Sequence, residues 1–440
     1  MIRTYTPMNN SHAMVEAQRC LGCYQAPCQQ ACPAHVDVPG FIRRFKEENL
    51  AGAAELIYSA CPLGNICGQA CPTGDLCEKA CVLSDMGQAP IRIGSLQALI
   101  TSTCHPGEKP FSPPTGKRVA VVGAGPAGLG CAVQLNRQGI EVHVYESHQT
   151  PGGLVARVIP AHRLPQSTVE IDLERLKNSG IQIHFSTPVD ASLTDELLKQ
   201  FDAVFVGTGL TSEVQPELAQ GSASGIFSAL PVLEAARSGR LTGLGQRVIV
   251  VGGGNVALDA AVVAKRSGVE QVILLYRRGK SEMPGWESEY LEACELGVEF
   301  RWLSVVQKII TQPSSHGSEQ VTGVEVTRMR YSPQTKNGRR WVELDPSQSP
   351  YFQSCDAVVF AMGQTLDPKM AQAFGISIQQ GLFAAEPSTY QTSTPRIFAA
   401  GEAVTGGSTI IASLSAGMAA ARSIHEFLLQ PENRERNRAQ

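Results

Sequence analysis

The spacing of apolar residues changes along the chain and marks segments with different predicted structures. Residues 38–60 place apolar side chains at helical intervals and contain few β-branched residues, so short helices are predicted there. From residue 118 the pattern becomes an apolar run, a glycine-rich turn, a helical segment and a second apolar run. The same succession starts again near residue 247, which predicts two βαβ units.

Further apolar runs of strand length occupy residues 202–209, 300–310 and 356–363. Near the C-terminus, the run at 396–404 leads through small residues into a predicted helix. Residues 105–116 are rich in proline and glycine and are predicted to form a linker. The pattern as a whole is typical of an α/β fold that is preceded by a helical segment.

Composition and charge exclude several classes of protein. The chain has 440 residues, enough for roughly two to three domains. Its net charge of −3 provides no bulk positive field for nucleic acid. No stretch reaches eighteen apolar residues, and residues 1–18 lack the apolar core of a secretory signal. We therefore expect a cytoplasmic protein that binds neither nucleic acid nor a membrane.

Cysteine is concentrated in the first part of the chain, where ten of the 13 cysteines precede residue 105. Eight of these form two closely spaced arrays: Cys20, Cys23, Cys28 and Cys32, then Cys67, Cys71, Cys77 and Cys81. The arrays favour two iron–sulfur clusters over disulfides, which a reducing cytosol disfavours. Zinc, which takes four ligands in two pairs, and unliganded thiols stay open as alternatives.

The three isolated cysteines are Cys131, Cys294 and Cys355, each in an apolar neighbourhood. Lone cysteines in such surroundings usually behave as small apolar core residues. We therefore predict that all three are buried and carry no chemistry.

The first glycine-rich turn has the dinucleotide-binding spacing Gly123-x-Gly125-x-x-Gly128 after a predicted strand. Glycine lets the backbone approach a pyrophosphate, and the following helix N-terminus faces the negative charge. An acidic residue about twenty positions later binds ribose hydroxyls in such sites. Glu146 stands at the end of the second predicted strand and is the candidate.

The second turn reads Gly252-x-Gly254-x-x-Ala257, in which alanine is a permitted variant. Arg277 and Arg278 stand where a carboxylate is expected. Arginine at this position can bind the 2′-phosphate of NADP or remain solvated. The sequence therefore leaves the choice between NADPH and NADH open.

The two turns, the extension at residues 146–154 and the late pair Gly401-Glu402 together resemble flavoproteins with two dinucleotide-binding domains. The resemblance implies FAD at the first turn and the C-terminal return, and NAD(P)H at the second turn. The implied fold class is α/β with an N-terminal α-helical iron–sulfur domain and two Rossmann-like dinucleotide-binding domains, the second inserted in the first. Implied boundaries are 1–112 for the iron–sulfur domain, 113–210 and 366–440 for the FAD domain, and 211–365 for the NAD(P)H domain.

Residues 20–42, 63–81 and 89–100 resemble the N-terminal iron–sulfur domain of dihydropyrimidine dehydrogenase. The chain also resembles the bacterial flavoprotein subunits of the NAD-dependent dihydropyrimidine dehydrogenases and, more loosely, the small subunit of glutamate synthase. The resemblance implies two [4Fe–4S] clusters. The implied ligands are Cys20, Cys23, Cys28 and Cys81 for one cluster and Cys32, Cys71, Cys77 and Gln97 for the other. Cys61, Cys67 and Cys104 have no ligand role in this scheme.

The resemblance also implies the residues that bind the two dinucleotides. For FAD they are Gly123, Ala124, Gly125, Pro126, Ala127, Gly128, Glu146, Gly153, Leu154, Arg163, Gly401, Glu402 and Thr409. For NAD(P)H they are Gly252, Gly253, Gly254, Asn255, Val256, Ala257, Arg277, Arg278, Ala361 and Gly363. Glu402 departs from the aspartate that is usual in the family. No catalytic proton donor is implied, because hydride transfer between stacked rings needs neither acid nor base.

The implied function is that of an oxidoreductase in pyrimidine catabolism. It takes electrons from NAD(P)H at FAD and passes them through two [4Fe–4S] clusters. After Gly123 no two cysteines are close in sequence, and no pyrimidine-reducing barrel pattern follows residue 430. The expected acceptor is therefore a separate FMN-containing subunit that reduces uracil or thymine to 5,6-dihydropyrimidines, in a hetero-oligomer.

Two alternatives remain open. One is an electron-input subunit for glutamate synthase or a ferredoxin-linked oxidoreductase. Gln97 argues against glutamate synthase, whose small subunits tend to have an acidic residue there. The other is a non-enzymatic redox sensor, which two intact dinucleotide-binding turns disfavour.

Overall fold

The computed structural model describes residues 7–107, 112–210, 212–219, 223–313, 318–336 and 339–430. The chain forms two compact units. An inserted unit comprises Glu213–Gln364 with Arg157–Pro160, and a larger unit comprises Thr4–Ala156, Ala161–Ser212 and Thr365–Gln440. The outer ends of the predicted domains at 1–6 and 431–440, and residues 108–111 of the predicted linker, lie outside the described residues.

The first hundred residues of the larger unit are mainly helical. They are α1 (Asn10–Gln18), α2 (Pro27–Gln30), α3 (Val38–Lys46), α4 (Leu50–Ala60), α5 (Gly64–Ala70), α6 (Val82–Asp85) and α7 (Ile93–Thr103). Asp37 caps α3 by accepting a hydrogen bond from Gly40 N at 3.0 Å. A Cβ added at Gly68 would lie 2.7 Å from the nitrogen of Ala98, so glycine allows α5 and α7 to pack closely. The contact joins the helix that precedes Cys71 to the helix that carries Gln97.

The first βαβ unit continues the larger unit. Its elements are β1 (Arg118–Val122), α8 (Pro126–Arg137), β2 (Glu141–Tyr145), α9 (Leu154–Arg157), α10 (Gln166–Lys177), β3 (Gln182–His184), α11 (Ala191–Gln200) and β4 (Ala203–Val206). Four of the five residues of β1 are buried, as expected for a parallel strand covered on both faces.

The inserted unit contains the second βαβ unit and additional strands. Its elements, with the short strand that crosses its start, are β5 (Ser212–Glu213), β6 (Ile226–Ser228), α12 (Ala229–Arg237), β7 (Arg247–Val251), α13 (Asn255–Arg266), β8 (Gln271–Tyr276), α14 (Glu287–Glu295), β9 (Glu299–Trp302), β10 (Ser304–Pro313), β11 (Glu319–Lys336), β12 (Arg339–Leu344), β13 (Tyr351–Ser354) and β14 (Ala357–Phe360). The parallel sheet has the order β6-β14-β7-β8-β9. The other strands form an antiparallel sheet in which β11 pairs with β10, β12 and β13.

After the inserted unit the chain returns to the larger unit. The last elements are β15 (Gln364–Thr365), α15 (Pro368–Phe374), β16 (Ile378–Gln379), β17 (Leu382–Phe383), β18 (Ile397–Ala399), α16 (Glu402–Thr405) and α17 (Ile410–Leu429). β18 completes a parallel sheet of order β18-β4-β1-β2-β3. The carboxyl end of β18 therefore lies at the same edge as the carboxyl end of β1.

The single strand predicted at residues 300–310 is wrong. The backbone turns at Leu303, which has φ +50°, and this left-handed conformation ends a strand. β9 before it joins the parallel sheet, and β10 after it joins the antiparallel sheet. A continuous apolar run hides this change of sheet because both strands have a buried face.

None of the helices among the described residues is both long and apolar enough to cross a membrane.

Candidate functional site

The first glycine-rich turn is built by backbone contacts that exclude side chains. Gly123 has φ +97°, and its N–H donates to Tyr145 O at 2.8 Å. A Cβ at Gly128 would lie 1.8 Å from the oxygen of Gly123, so α8 can pack against the turn only with glycine there. α8 begins at Pro126 with Gly125 as its N-cap and no side-chain capping bond. Its first N–H groups are therefore free to meet a phosphate.

Glu146 lies beside this turn and is only 5% exposed. Its carboxylate accepts hydrogen bonds from Ala124 N at 2.8 Å and from His148 N at 2.9 Å. The loop that follows returns to the turn, because Gly152 N donates to Ala124 O at 2.7 Å. A Cβ at Gly153 would come within 3.0 Å of the Cα of Gly125. The sequence places an acid and a glycine loop at the turn, and the structure brings both into contact with it.

The C-terminal return reaches the same turn through the packing of α17 on α8. A Cβ at Gly417 would lie 1.9 Å from Ala127 O, so two helix backbones touch at this glycine. Gly401 has φ +79°, and its Cβ would lie 2.7 Å from that of Ala127. The segment from Gly401 to Thr409 therefore lies at the start of α8, where a dinucleotide bound to the turn would extend.

Glu402 is held within its own loop, where its Oε1 accepts from Ser408 N at 2.9 Å. Burial raises the pKa of this carboxyl above its usual range, and the Ser408 hydrogen bond opposes the change. Thr409 caps α17 by accepting from Ala412 N at 3.2 Å. Leu154 starts α9, and Arg163 lies half-buried between α9 and α10.

The second glycine-rich turn repeats this construction in the inserted unit. Gly252 has φ +151°, and a Cβ there would lie 2.3 Å from Ala361 O. Gly254 is the N-cap of α13 and has no side-chain capping bond. Asn255, at the start of α13, accepts a hydrogen bond from Trp286 N at 2.8 Å. These contacts leave a second helix N-terminus open for a phosphate.

The other predicted nicotinamide-site residues surround the second turn. Val256 lies in the first turn of α13, and Ala257 is fully buried behind it. Gly363 follows β14 and has φ +109°. Arg277 is the first residue after β8 and is exposed, whereas Arg278 is half-buried. Arg277 thus has the place after its strand that Glu146 has in the first βαβ unit.

Four cysteines of the first predicted ligand set line one pocket. Cys20, Cys23, Cys28 and Cys81 share its wall with apolar side chains, among them Ile42 and Leu83. The empty space is about 390 Å³ including the open mouth, far more than a single ion or water needs. Burial raises the pKa of the Cys28 thiol to about 11, with further contributions from Cys20 and Cys81. The residues therefore fit a thiolate-ligated cluster of several metal atoms.

The three cysteines of the second predicted set also come together. Burial raises the pKa of Cys32 to about 11, and the nearby Cys71 adds to this effect. Burial likewise raises the pKa of Cys77, with contributions from Glu78, Cys71 and Cys32. Gln97 is 8% exposed, and its amide nitrogen donates to Gly64 O at 2.7 Å. This bond leaves the amide oxygen as the atom free to act as a ligand.

Among the described residues, no three His, Cys, Asp or Glu side chains are close enough to hold one metal ion. A tetrahedral zinc site requires all its ligands about 2.3 Å from a single atom. Ligands of a cluster bind different iron atoms and lie farther apart. A cluster site therefore does not require three thiols gathered around one point.

Three cysteines without a predicted ligand role have different surroundings. The Cys67 thiol donates hydrogen bonds to the sulfurs of Cys61 and Cys71, and these bonds together with burial raise its pKa. Cys61 is buried beside it, and Cys104 is half-buried at the end of α7. The prediction that Cys294 is buried is wrong. It is exposed on α14, because the apolar side of that helix is carried by neighbours such as Ala293.

The second cysteine set lies next to the helices of the flavin-type fold. Ser415 on α17 donates to Pro33 O, next to Cys32, at 2.7 Å. Asp172 on α10 accepts from Ile66 N at 2.9 Å and thereby caps α5. Burial raises the pKa of Asp172 to about 7, and these hydrogen bonds oppose the change. No local pattern around Asp172 indicates this role, since an acid in an amphipathic helix normally faces solvent.

The first cysteine set lies toward solvent. Tyr24, next to Cys23, is 101% exposed, and Leu21 is 57% exposed. Met86, which ends α6 after Cys81, is 59% exposed. The two sets are thus arranged in order, one against the flavin-type fold and one at the surface.

Comparisons with known proteins agree with this arrangement. Residues 2–108 match the family described as dihydropyrimidine dehydrogenase domain II, 4Fe-4S cluster. Residues 117–421 match the pyridine nucleotide-disulphide oxidoreductase family. These matches confirm the predicted fold class, its iron–sulfur domain and the FAD, NAD(P)H and 4Fe–4S cofactors.

Three curated relatives resemble nearly the whole chain. The glutamate synthase [NADPH] small chain of Escherichia coli is 32% identical, over 97% of this chain and 94% of the relative. The NAD-dependent dihydropyrimidine dehydrogenase subunit PreT of E. coli is 34% identical, over 94% of each chain. The NADPH-Fe(3+) oxidoreductase subunit beta of Geobacter sulfurreducens is 32% identical over 92% of this chain, which spans 64% of that relative.

Solved structures share the fold at low identity. FprA of Mycobacterium tuberculosis in complex with NADPH has a TM-score of 0.61 and 16% identity, over 74% of this chain and 89% of FprA. The thioredoxin reductase of T. acidophilum has a TM-score of 0.52 and 19% identity, over 71% and 98% of the two chains.

Proposed function

The chain belongs to the pyridine nucleotide-disulphide oxidoreductase family and carries a dihydropyrimidine dehydrogenase-type 4Fe–4S domain, and on this premise we propose that it is the electron-input subunit of a dihydropyrimidine dehydrogenase. It oxidises NAD(P)H and delivers electrons to an FMN-containing subunit that reduces uracil or thymine. When bound, FAD accepts a hydride, and the clusters transfer electrons singly. The residues of the chain bind these groups and fix their order.

The order of the two cysteine sets carries the proposal. Cys32 and Cys71 belong to segments held by α17 and α10, which support the flavin-type site. Cys20 and Cys23 belong to a segment whose Leu21 and Tyr24 face solvent. Electrons that enter at the flavin therefore have a path toward a surface. Among the described residues after Gly123 no cysteine pair offers another exit, because Cys131 and Cys355 are buried singly.

The surface around the first set is suited to a protein partner. Residues 20–36 contain no Asp, Glu, Lys or Arg. Protein interfaces are depleted of charge at their centre and enriched in Tyr and Met. The relatives of this chain are named as a small chain, a subunit beta and a subunit PreT, and this supports a role within a hetero-oligomer.

The 34% identity with PreT favours dihydropyrimidine chemistry. A second candidate is delivery of electrons to a glutamate synthase large subunit, which the 32% identity with the small chain supports. Gln97 favours dihydropyrimidine chemistry over glutamate synthase. The resemblance to the dihydropyrimidine dehydrogenases implies an amide ligand at this position.

The test is NADH and NADPH oxidation by the purified holoprotein with uracil, with and without the FMN subunit from the same genome. We expect uracil-dependent oxidation only when both subunits are present. Uracil reduction by this chain alone would contradict the two-subunit proposal. Oxidation that depends instead on a glutamate synthase large subunit with glutamine and 2-oxoglutarate would favour the second candidate.

A further inference from the structure

Coenzyme choice in a Rossmann-type site is made at the end of the second strand of the βαβ unit. In the inserted unit this strand is β8, which ends at Tyr276, and Arg277 and Arg278 follow. Neither arginine has an ion-pair partner within the part of the chain that the structure describes. Two uncompensated cations therefore stand where the 2′-phosphate of NADPH would lie.

The loop after these arginines folds back onto the glycine-rich turn. Gly285 N donates to Gly253 O at 3.0 Å, and a Cβ at Gly253 would lie 2.4 Å from the Tyr276 ring. The Tyr276 hydroxyl donates to Glu282 O at 2.9 Å. The loop of residues 277–286 is thus fixed against the turn, and Glu282 follows Arg278 by four positions in this loop.

Glu282 carries a charge that opposes a phosphate, and the hairpin formed by β11 and β12 neutralises it. Arg340 on β12 contacts its Oε1 from Nη2 at 3.1 Å and from Nε at 3.2 Å. Tyr331 on β11 donates its hydroxyl to the other carboxylate oxygen and accepts from Gly279 N at 2.9 Å. The Arg340 guanidinium also lies 4.0 Å above the Tyr331 ring.

The lowered pKa of Glu282 agrees with its pairing to Arg340. Partial burial acts to raise its pKa, but the Tyr331 hydrogen bond and the Arg340 charge outweigh burial and lower it. The carboxylate is therefore ionised at neutral pH. The other acid of the loop region, Glu287, is paired with Lys280 at 3.2 Å.

We propose that Arg340 determines coenzyme specificity by cancelling the charge of Glu282, so that the site selects NADPH over NADH. Arg277 and Arg278 bind the 2′-phosphate, and Arg340 acts through Glu282 as a positioning residue without touching the coenzyme. The proposal rests on the nicotinamide dinucleotide use of the proposed function but not on the identity of the electron acceptor.

The test measures binding of 2′,5′-ADP and 5′-AMP to the holoprotein by calorimetry. These probes differ only in the 2′-phosphate. We expect the wild type to bind 2′,5′-ADP more tightly. Arg340→Ala leaves the Glu282 charge uncompensated in the loop that follows the two arginines, so it should weaken 2′,5′-ADP binding by about tenfold and leave 5′-AMP binding unchanged. The ratio of KM for NADPH to KM for NADH, with ferricyanide as acceptor, should rise by a similar factor at constant kcat.

A rescue variant distinguishes the loss of charge compensation from a folding defect. Glu282→Gln combined with Arg340→Ala removes both charges and should restore 2′,5′-ADP binding, since the loop again has no net charge from this pair. Arg330→Ala is the matched control, because Arg330 is on the same hairpin and pairs with Glu343 at 2.9 Å. This control should bind both probes as the wild type does.

The proposal is overturned if the wild type binds both probes equally. It is also overturned if Arg340→Ala weakens both probes alike or neither, or if the double variant fails to recover. The binding assay contains no partner subunit. Its results therefore test the coenzyme proposal even if the chain does not support uracil reduction.

Discussion

Replacing Gly125 with alanine should weaken FAD binding while it leaves the stability of the apoprotein nearly unchanged. Gly125 has φ −76° and ψ −179°, a conformation open to any residue. No atom beyond its chain neighbours lies within 4 Å of the position that a Cβ would take. The weaker N-cap and the reduced entropy of the unfolded chain oppose each other, so Gly125→Ala should change apoprotein stability by less than about 1 kcal/mol.

With FAD bound, the same methyl group occupies the space through which the pyrophosphate reaches the backbone of the turn. Losing one or two hydrogen bonds to a charged group costs about 1.5–3 kcal/mol each. A total of about 3–5 kcal/mol lowers FAD affinity by about 10²- to 10⁴-fold.

The assay is FAD content after purification and the dissociation constant after reconstitution, with iron content and the melting temperature of the apoprotein measured beside them. Gly74→Ala is the matched control, because it also meets no atom within 4 Å and should retain FAD. Gly254→Ala should lose NAD(P)H affinity but keep FAD. If Gly125→Ala binds FAD as the wild type does, the pyrophosphate does not lie at this turn and our assignment fails.

Three further predictions concern the clusters and their surroundings. Gln97→Ala should reduce the iron content and alter the electron paramagnetic resonance signal of one cluster only, whereas Cys67→Ser should leave the iron content unchanged; equal loss in both variants would contradict the ligand set. Tyr24→Ser should raise the KM for the partner subunit without changing ferricyanide reduction. The control Phe352→Ser, which replaces another exposed aromatic side chain, should change neither quantity; a raised KM in the control would refute a docking surface at residue 24. Asp172→Ala leaves the N–H of Ile66 without its acceptor and should destabilise α5 by about 1–3 kcal/mol, so iron should be released at lower urea concentration, as measured by bleaching; unchanged release would show that Asp172 does not support the cluster.

The glycine-rich turns could be predicted because their chemistry is local. The strand, the glycine spacing and the helix start all lie within about ten residues of sequence, and close backbone contact imposes the glycines at 128 and 252. The grouping of the cysteines was different, since spacing alone leaves several pairings open. Family resemblance supplied the grouping, and the structure places Cys81 beside Cys20.

Features that depend on distant contacts could not be predicted. The antiparallel sheet was missed because β11 and β12 carry a mixed pattern, and the break at Leu303 lies inside one apolar run. The pairing of Glu282 with Arg340 joins residues that are 58 positions apart, and nothing in their local sequence indicates it. Cys294 was assigned to the core from apolar neighbours, but the helix turns it outward.

The most direct test of the account is a count of metal and flavin in the anaerobically purified chain, together with its visible spectrum. Two [4Fe–4S] clusters require about eight iron atoms per chain, and one FAD should accompany them. A colourless protein with two zinc ions and no flavin would contradict the account.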